Sequence, residues 1–250
     1  MPDTPELLIL PHRRAPAAAQ MSLDAALLGW ASAEGGAGRA VYRTYGWSRP
    51  TLSLGRAEPF PEGWDEEAIR RAGIDVVRRP TGGDAVLHDT ELTFAVAAAL
   101  PGRWGLRPRG FADLVAEALA SALRDAGLDA ERTGAPTETV AARPGAHPCF
   151  ARTAAGEVRV GRYKVAGIAS RFTRGAALSH ASVPLTGAFR DVARFRTDGA
   201  GAGLAIQAGA RAASELLATP IEERRIAVRL GEALAGALRA VPREVAFADL

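Results

Sequence analysis

Apolar positions along the chain follow two different periods, which predicts separate helices and clusters of short strands. The first helix shows the pattern clearly, because Met21, Ala25 and Leu28 form one apolar stripe among good helix formers. Residues 111–126 form a second segment with helical spacing. Gly127 follows it, and glycine is typical just after the C-terminus of a helix. Helical spacing predicts four helices, over residues 17–33, 64–72, 111–126 and 221–240.

Short runs of β-branched and other apolar residues, bounded by Gly and Pro, predict the strands. We expect the run 74–78 to be a buried strand, followed by a loop and two further strands. Strand clusters that alternate with separated helices indicate an α+β fold rather than a repeating βαβ sheet. The predicted strands cover residues 40–45, 51–54, 74–78, 85–88, 92–98, 157–160, 164–172 and 177–184.

Two glycine-containing stretches are predicted to be loops. Asp198–Leu204 contains G-x-G-x-G but follows no strand, so a flexible loop is expected there rather than a dinucleotide-binding turn. Residues 134–148 are rich in Pro and Gly and are also predicted to form a loop.

Size and composition predict one domain over residues 1–250, with its core over about 20–240. The chain is 48% hydrophobic and 24% charged, which suffices to bury one core. Met1–Leu10 lacks the basic start of a signal peptide, and the apolar run Leu92–Leu100 is too short to cross a bilayer. A soluble, cytoplasmic protein without a membrane partner is expected.

Charge and residue usage restrict the partners and cofactors. The net charge is +3 and the pI is about 9.6, which favours acidic partners. The basic residues are dispersed and no nucleic-acid-binding motif is present, so nucleic acid is not expected. Acidic carrier proteins match the charge equally well. A single cysteine excludes an internal disulfide, and four scattered histidines do not predict a metal site.

The rarest residues suggest where chemistry occurs. Lys164 is the only lysine among 31 basic residues, and the only cysteine, Cys149, lies fifteen residues before it. A site that needs a compact ammonium does not accept the planar guanidinium of arginine. The alternative is a surface lysine left by chance and a cysteine that is a small buried apolar residue. Composition alone leaves both interpretations open.

The segment Arg78–Asp89 (RRPTGGDAVLHD) places two arginines, a hydroxyl group and paired glycines between two predicted strands. Glycine has no Cβ, so such a loop can bring backbone N–H groups close to a polar ligand. An ordinary tight turn is the alternative.

This loop resembles the signature of the superfamily of lipoate-protein ligases, biotin ligases and octanoyltransferases. Three other segments resemble motifs of the same superfamily in the same order: Trp47–Gly55 (WSRPTLSLG), Lys164–Ala169 (KVAGIA) and His180–Leu185 (HASVPL). The resemblance covers roughly residues 20–190 and implies a single catalytic domain with a mixed, largely antiparallel sheet flanked by helices. The substrate-binding residues that it implies are Arg79, Thr81, Gly82, Gly83, Asp84, Ala85, His88, Gly167 and Ala169.

Within the superfamily, a cysteine that precedes the lysine motif resembles the LipM-type octanoyltransferases. This resemblance implies that Cys149 and Lys164 are catalytic and that no cofactor is needed. It also implies octanoyl transfer from acyl carrier protein to a lysine of a lipoyl-domain protein such as the glycine cleavage H protein. The intermediate would be a Cys149 thioester.

Three alternatives remain: an amidotransferase that moves the acyl group between lipoyl domains, an ATP-dependent lipoate ligase, and a degenerate protein that only binds. Asp84 argues against the ligase, because a carboxylate beside the loop would repel the phosphate of an acyl-adenylate.

The physical chemistry of a thioester agrees with the resemblance. A thiol with an ordinary pKa of about 8.5 is only a few per cent ionised at neutral pH, and an adjacent ammonium raises that fraction. Lys164 could therefore activate Cys149, or it could stabilise the oxyanion of each tetrahedral intermediate. His147 offers a Cys-His pair as an alternative, and His88 is expected to order the glycine loop.

Overall fold

The computed structural model describes residues 4–33, 36–134, 150, 156–217 and 221–250, without the side chains of residues 199, 200 and 202. The helices are α1 (Ala17–Ser32), α2 (Glu66–Arg71), α3 (Pro108–Asp125), α4 (Gly199–Gly209) and α5 (Glu223–Leu238). The strands are β1 (Glu6–Ala15), β2 (Arg39–Trp47), β3 (Thr51–Leu54), β4 (Asp75–Arg78), β5 (Val86–His88), β6 (Glu91–Ala99), β7 (Ala130–Arg132), β8 (Val158–Val160), β9 (Tyr163–Thr173), β10 (Ala176–Pro184) and β11 (Val241–Glu244).

Eight strands form one mixed sheet in the order β11-β1-β2-β6-β10-β9-β8-β7. Only the pairs of β1 with β2 and with β11 are parallel; the other neighbours run antiparallel. A second sheet has three strands in the order β4-β3-β5. These sheets with their separate helices confirm the α+β fold and the largely antiparallel sheet.

The large sheet is covered by helices on both faces because its strands alternate apolar side chains between the faces. In β6, Leu92, Phe94 and Val96 pack with α3 and α5, whereas Ala95 and Ala97 pack with α1. The α1 face also carries the polar residues described below.

The three-stranded sheet builds a separate apolar cluster beside the large sheet. Leu52 and Leu87 pack there with Phe189 of the 3-10 helix Gly187–Phe195 and with Ile206 of α4. Phe150 belongs to the same cluster, and its ring centroid lies 4.8 Å from that of Phe189. This cluster supports the loop between β4 and β5.

Two predictions about local structure were wrong. β4 was expected to be buried, but it is an edge strand and Val76 is exposed. Residues 198–204 were expected to form a loop, but α4 covers most of them. Fully buried Ile206 attaches α4 to the cluster around Leu52, so tertiary packing overrides the low helix propensity of its glycines.

The remaining predicted elements are confirmed, with ends that differ by a few residues, and Gly127 follows α3 with φ of +99°. Three strands were missed. β1 ends with the exposed polar run His12–Arg14 before Ala15, β7 has only three residues, and β11 is an exposed edge strand that contains Pro242, so none shows a clear alternating pattern. The loop predicted over 134–148 lies almost wholly outside the described residues.

Among the described helices, none has the length and apolar character that crossing a bilayer requires.

Candidate active site

Arg79 shapes the glycine loop between β4 and β5 from within. Its guanidinium donates to the carbonyl oxygens of Gly82 (2.7 Å) and Asp84 (2.8 Å), and to that of Ser53 on β3 (2.9 Å). Arg79 is buried, whereas Gly82 and Gly83 are exposed. The loop is therefore held in shape before a ligand arrives, with its glycine backbone on the surface.

The segment after β3 packs directly against this loop. A Cβ on Gly55 would lie 1.8 Å from the carbonyl oxygen of Gly83, so only glycine fits there. The Arg56 N–H donates to the Thr81 carbonyl (2.8 Å), and Arg78 donates to the carbonyls of Gly55 and other residues of the segment. This contact explains why the segment ending at Gly55 and the glycine loop occur together in the motif.

Thr81 connects the loop to the large sheet through a buried chain of hydrogen bonds. Its hydroxyl lies 2.6 Å from Nε2 of His180, and Nδ1 of His180 lies 3.0 Å from Asp24 of α1. Asp24 also forms an ion pair with Arg43 at 2.6 Å and accepts from the Tyr45 hydroxyl. All five side chains are buried.

Asp24 stays ionised at the centre of this chain. Burial alone would raise its pKa, but Arg43 and His180 outweigh burial and hold the pKa below the usual value. Burial lowers the pKa of His180. A neutral His180 donates from Nδ1 to Asp24 and accepts the Thr81 hydroxyl proton at Nε2, which fixes the Thr81 side chain.

His88 belongs to a second buried chain. Its Nε2 lies 2.7 Å from the Ser53 hydroxyl, its Nδ1 lies 2.5 Å from Glu91, and its ring stacks on Trp47 at 4.2 Å. His88 was expected to order the glycine loop, but within the described residues its hydrogen bonds lead to the loop through Ser53 and Arg79. The direct ordering group is Arg79.

Gly167 and Ala169 lie on β9 beside this region. They pair directly with Ser182 and His180 of β10, so their Cα positions share the sheet face that carries His180. Arg171, further along β9, donates to the Pro80 carbonyl at 3.1 Å. Small residues therefore stand where the strand passes the glycine loop, and their contact with an acyl chain stays a prediction. Ala85 is buried in the cluster of the three-stranded sheet.

Lys164 is buried rather than left on the surface. Its Nζ lies 2.6 Å from Glu157 and 5.1 Å from the Phe150 ring centroid. Glu157 is also buried, and no sequence signal had singled it out. Cys149 and His147 lie outside the described residues, so the Cys149–Lys164 pair and the Cys-His alternative stay predictions.

Glu58 was also missed by the sequence analysis. It is buried, its Oε2 accepts from the Gly55 N–H (3.1 Å), and its Oε1 has no hydrogen-bond partner within the described part of the chain. Burial raises its pKa to about 7, which Asp84 reinforces, although the Gly55 N–H, Arg79 and Arg196 oppose the rise. A carboxyl with a pKa raised to near neutral therefore lies against Gly55, the residue that contacts Gly83 of the glycine loop. Over the described ranges, no group of three or more His, Cys, Asp or Glu side chains could hold a metal ion.

The sequence of this chain also matches a known protein family. Residues 16–214 match the family model of the lipoyl protein ligase A/B catalytic domain. The chain belongs to this family. The described parts of the β4–β5 loop, β9 and β10 all lie within the matched region of the lipoyl protein ligase A/B catalytic domain.

Curated relatives of this chain include several octanoyltransferases named LipM. The LipM of Geobacillus kaustophilus is 38% identical over 178 residues, which cover 68% of this chain and 62% of that protein. The LipM of Kyrpidia tusciae is 34% identical over 207 residues, which cover 79% of this chain and 75% of that protein. The match therefore spans less than two thirds of the first of these relatives.

Solved structures show the same fold. A lipoate-protein ligase A bound with ATP has a TM-score of 0.75 at 20% identity, covering 97% of this chain and 89% of that chain. The bipartite lipoate protein ligase of Thermoplasma acidophilum has a TM-score of 0.75 at 20% identity, covering 98% of this chain and 88% of that chain. The chain thus has the lipoate-ligase fold that the sequence motifs implied.

Proposed function

We propose that this chain is an octanoyltransferase. It takes an octanoyl group from acyl carrier protein as a Cys149 thioester and passes it to a lysine of a lipoyl-domain protein, with the glycine cleavage H protein as the expected acceptor. The relatives named LipM support the type of reaction. No cofactor takes part, and a free thiol as nucleophile suits the reducing conditions of the expected cytoplasmic location.

The observation that carries the proposal is the position of Phe150 against Lys164. Phe150 directly follows Cys149 in the sequence. The Phe150 ring lies 5.1 Å from the Lys164 ammonium, which is itself fixed by Glu157. Chain connectivity therefore supports the expectation that Cys149 reaches the same region as Lys164.

The first half-reaction is exchange between thioesters. The Cys149 thiolate attacks the octanoyl carbonyl carbon, a new C–S bond forms, and the C–S bond to the carrier breaks. The carrier leaves as a thiolate and takes up the proton that Cys149 gave up. One thioester replaces another, so no ATP is consumed.

The second half-reaction makes the amide. The neutral ε-amine of the acceptor lysine attacks the Cys149 thioester, a C–N bond forms, and the C–S bond breaks. The Cys149 thiolate takes the proton that the amine nitrogen loses. An amide is more stable than a thioester, which makes this step downhill.

Lys164 contributes its positive charge to both half-reactions. The carboxylate of Glu157, 2.6 Å away, favours the ammonium form of Lys164. That ammonium can raise the thiolate fraction of Cys149 or stabilise the oxyanion, and a positioned oxyanion donor contributes about 3 kcal/mol.

The first test is intact-mass spectrometry after incubation with octanoyl-acyl carrier protein and no ATP. We expect an octanoyl adduct that hydroxylamine removes, and no adduct on Cys149→Ala. Transfer that needs ATP and free octanoate, and that survives Cys149→Ala, would replace the proposal with an ATP-dependent ligase. Acylation by octanoylated H protein, but not by carrier protein, would indicate an amidotransferase instead.

The two roles of Lys164 are separable when its partner is neutralised as well. Lys164→Met alone would strand the buried Glu157 charge, so the test variant is Lys164→Met/Glu157→Gln. If Lys164 activates the thiol, the pH midpoint for iodoacetamide labelling of Cys149 rises in this variant. If it stabilises the oxyanion, labelling is unchanged while Cys149 acylation slows by about 100-fold or more.

A further inference from the structure

Two arginine side chains converge on one tyrosine next to the lysine motif. The guanidinium carbon of Arg162 lies 4.8 Å from the Tyr163 ring centroid, and that of Arg211 lies 4.2 Å from it. Arg162 also donates to the Tyr163 hydroxyl at 2.8 Å. We name Arg162, Tyr163 and Arg211 the Tyr163 patch.

The two arginines of this patch keep their charge without a carboxylate partner among the described residues. The nearby Glu215 is held by Arg190 at 2.6 Å and 2.8 Å and by the Ala212 N–H. The hydrogen bond from Arg162 and the charges of Arg162 and Arg211 lower the pKa of Tyr163, as expected at a positive surface.

The patch is continuous with the backbone of the candidate active site. The Arg211 N–H donates to the Lys164 carbonyl at 3.1 Å, and Tyr163 directly precedes Lys164 in β9. Arg211 also donates to the carbonyl of Gln207 in α4. Leu204, one helical turn before Gln207 in α4, is 70% exposed, so the helix that Arg211 contacts also carries an apolar side chain on the surface.

We infer that the Tyr163 patch, with Leu204, is the surface on which the acidic acyl carrier protein docks when it delivers its acyl group to Cys149. The inference rests on the proposed function and assigns a place on the molecule to its donor. Complementary charge at the rim of an interface speeds association and orients the partner.

The charge of the patch favours the donor over the acceptor. The acceptor lysine approaches as an ammonium and loses a proton before it attacks, and the Tyr163 patch adds two positive charges next to Lys164, which repel the approaching cation. The donor brings an uncharged thioester on an acidic protein. The positive charge of the Tyr163 patch therefore attracts the acidic carrier protein and repels the lysine of the acceptor protein.

The test measures the rate of Cys149 acylation with two donors, octanoyl-acyl carrier protein and octanoyl-pantetheine. The variant is Arg162→Gln/Arg211→Gln, and its control is Arg239→Gln/Arg243→Gln, which removes the same charge at or near the opposite edge of the large sheet. Two exposed ion pairs together give a factor of about 2 to 30. We expect the KM for the carrier protein, relative to that for octanoyl-pantetheine, to rise by this factor in the patch variant only.

Two further measurements sharpen the result. Arg162→Lys/Arg211→Lys keeps the charge and should restore most of the carrier KM, whereas failure to restore it would show a structural effect instead. Raising the salt concentration should weaken carrier use by the wild type more than by the patch variant.

Each contrary outcome has a separate meaning. An unchanged KM ratio overturns the inference while leaving the proposed function intact. An equal defect with octanoyl-coenzyme A means that the patch recognises a phosphate rather than a protein surface, and a defect confined to transfer from Cys149 to the lipoyl domain means that it is the acceptor surface. If no donor acylates wild-type Cys149, the proposed function fails and this inference fails with it.

Discussion

Glu58 is a buried carboxyl whose ionisation should set a pH dependence of stability. Its pKa of about 7 in the folded protein exceeds the ordinary value of 4.5, so the folded state holds the proton more tightly than the unfolded chain does. Stability should therefore fall as the pH rises from about 4.5 through about 7, by about 1–3 kcal/mol in total.

Glu58→Gln tests this pH dependence. Glutamine has no proton to lose and can still accept from Gly55, so the variant should be more stable than the wild type at pH 8, with the difference shrinking towards pH 4.5. Urea denaturation across this range measures the effect, and Glu62→Gln on the exposed surface is the control. A difference that does not vary with pH would mean that Glu58 does not titrate in this range.

Asp24 is the charge on which the chain from Thr81 to Arg43 depends. Asp24→Asn leaves the guanidinium of Arg43 buried without its ion pair, so we expect a loss of about 3–5 kcal/mol of unfolding free energy. Asp75→Asn, whose ion pair with Arg49 is largely exposed, should cost no more than about 1 kcal/mol. Equal losses in the two variants would contradict the importance assigned to the buried network.

Some residues of the candidate site could be identified from the sequence alone, and others could not. Lys164 and the Arg79 loop were found because a lone lysine and a glycine-rich motif are local signals. Asp24, Glu58 and Glu157 are ordinary acidic residues in their segments, and each matters only through a partner that the fold brings near it: Arg43, the glycine loop or Lys164. Such residues carry no local pattern.

The glycine loop and the segment after β3 act as one unit because they touch at Gly55. Gly55→Ala places a methyl group against the Gly83 carbonyl, so we expect a loss of about 1–3 kcal/mol and slower acylation of Cys149 as the loop shifts. Gly82→Ala meets nothing within 4 Å and should change thermal stability little. Thermal unfolding of the two variants tests whether Gly55 packs tightly against Gly83. A Tm of Gly55→Ala that is no lower than that of Gly82→Ala would contradict it.

Elements were predictable where their own residues decide the structure. The local sequence was sufficient for α1, α3, β9 and β10, because the two helices show apolar positions at helical spacing and the two strands are β-like runs bounded by glycine turns. The exposure of β4 and the helical state of α4 depend on what packs beside them, which a local pattern does not contain. The edge strand β11 has four exposed residues and so gives no alternation to detect.

At the scale of the whole molecule, the two sheets are joined by buried and partly buried polar contacts. Thr81 bonds to His180, Ser53 bonds to His88 and through it to Glu91, and Arg171 bonds to the Pro80 carbonyl. We therefore expect residues 1–250 to unfold as one cooperative domain. Calorimetry should give equal calorimetric and van't Hoff enthalpies, whereas two separable transitions would show that the three-stranded sheet unfolds independently.

The burial of Lys164 has a consequence for the surface of this chain. Lysine occurs nowhere else in the sequence, and Lys164 is enclosed by Glu157 and Phe150. A protein that hands activated acyl groups to lysine amines is always at risk of modifying itself, since its own amines stand closest to the thioester. Arginine carries the positive charge everywhere else and, always protonated, is a poor nucleophile. The surface is thus charged without offering a second lysine amine to the group that the proposed enzyme transfers.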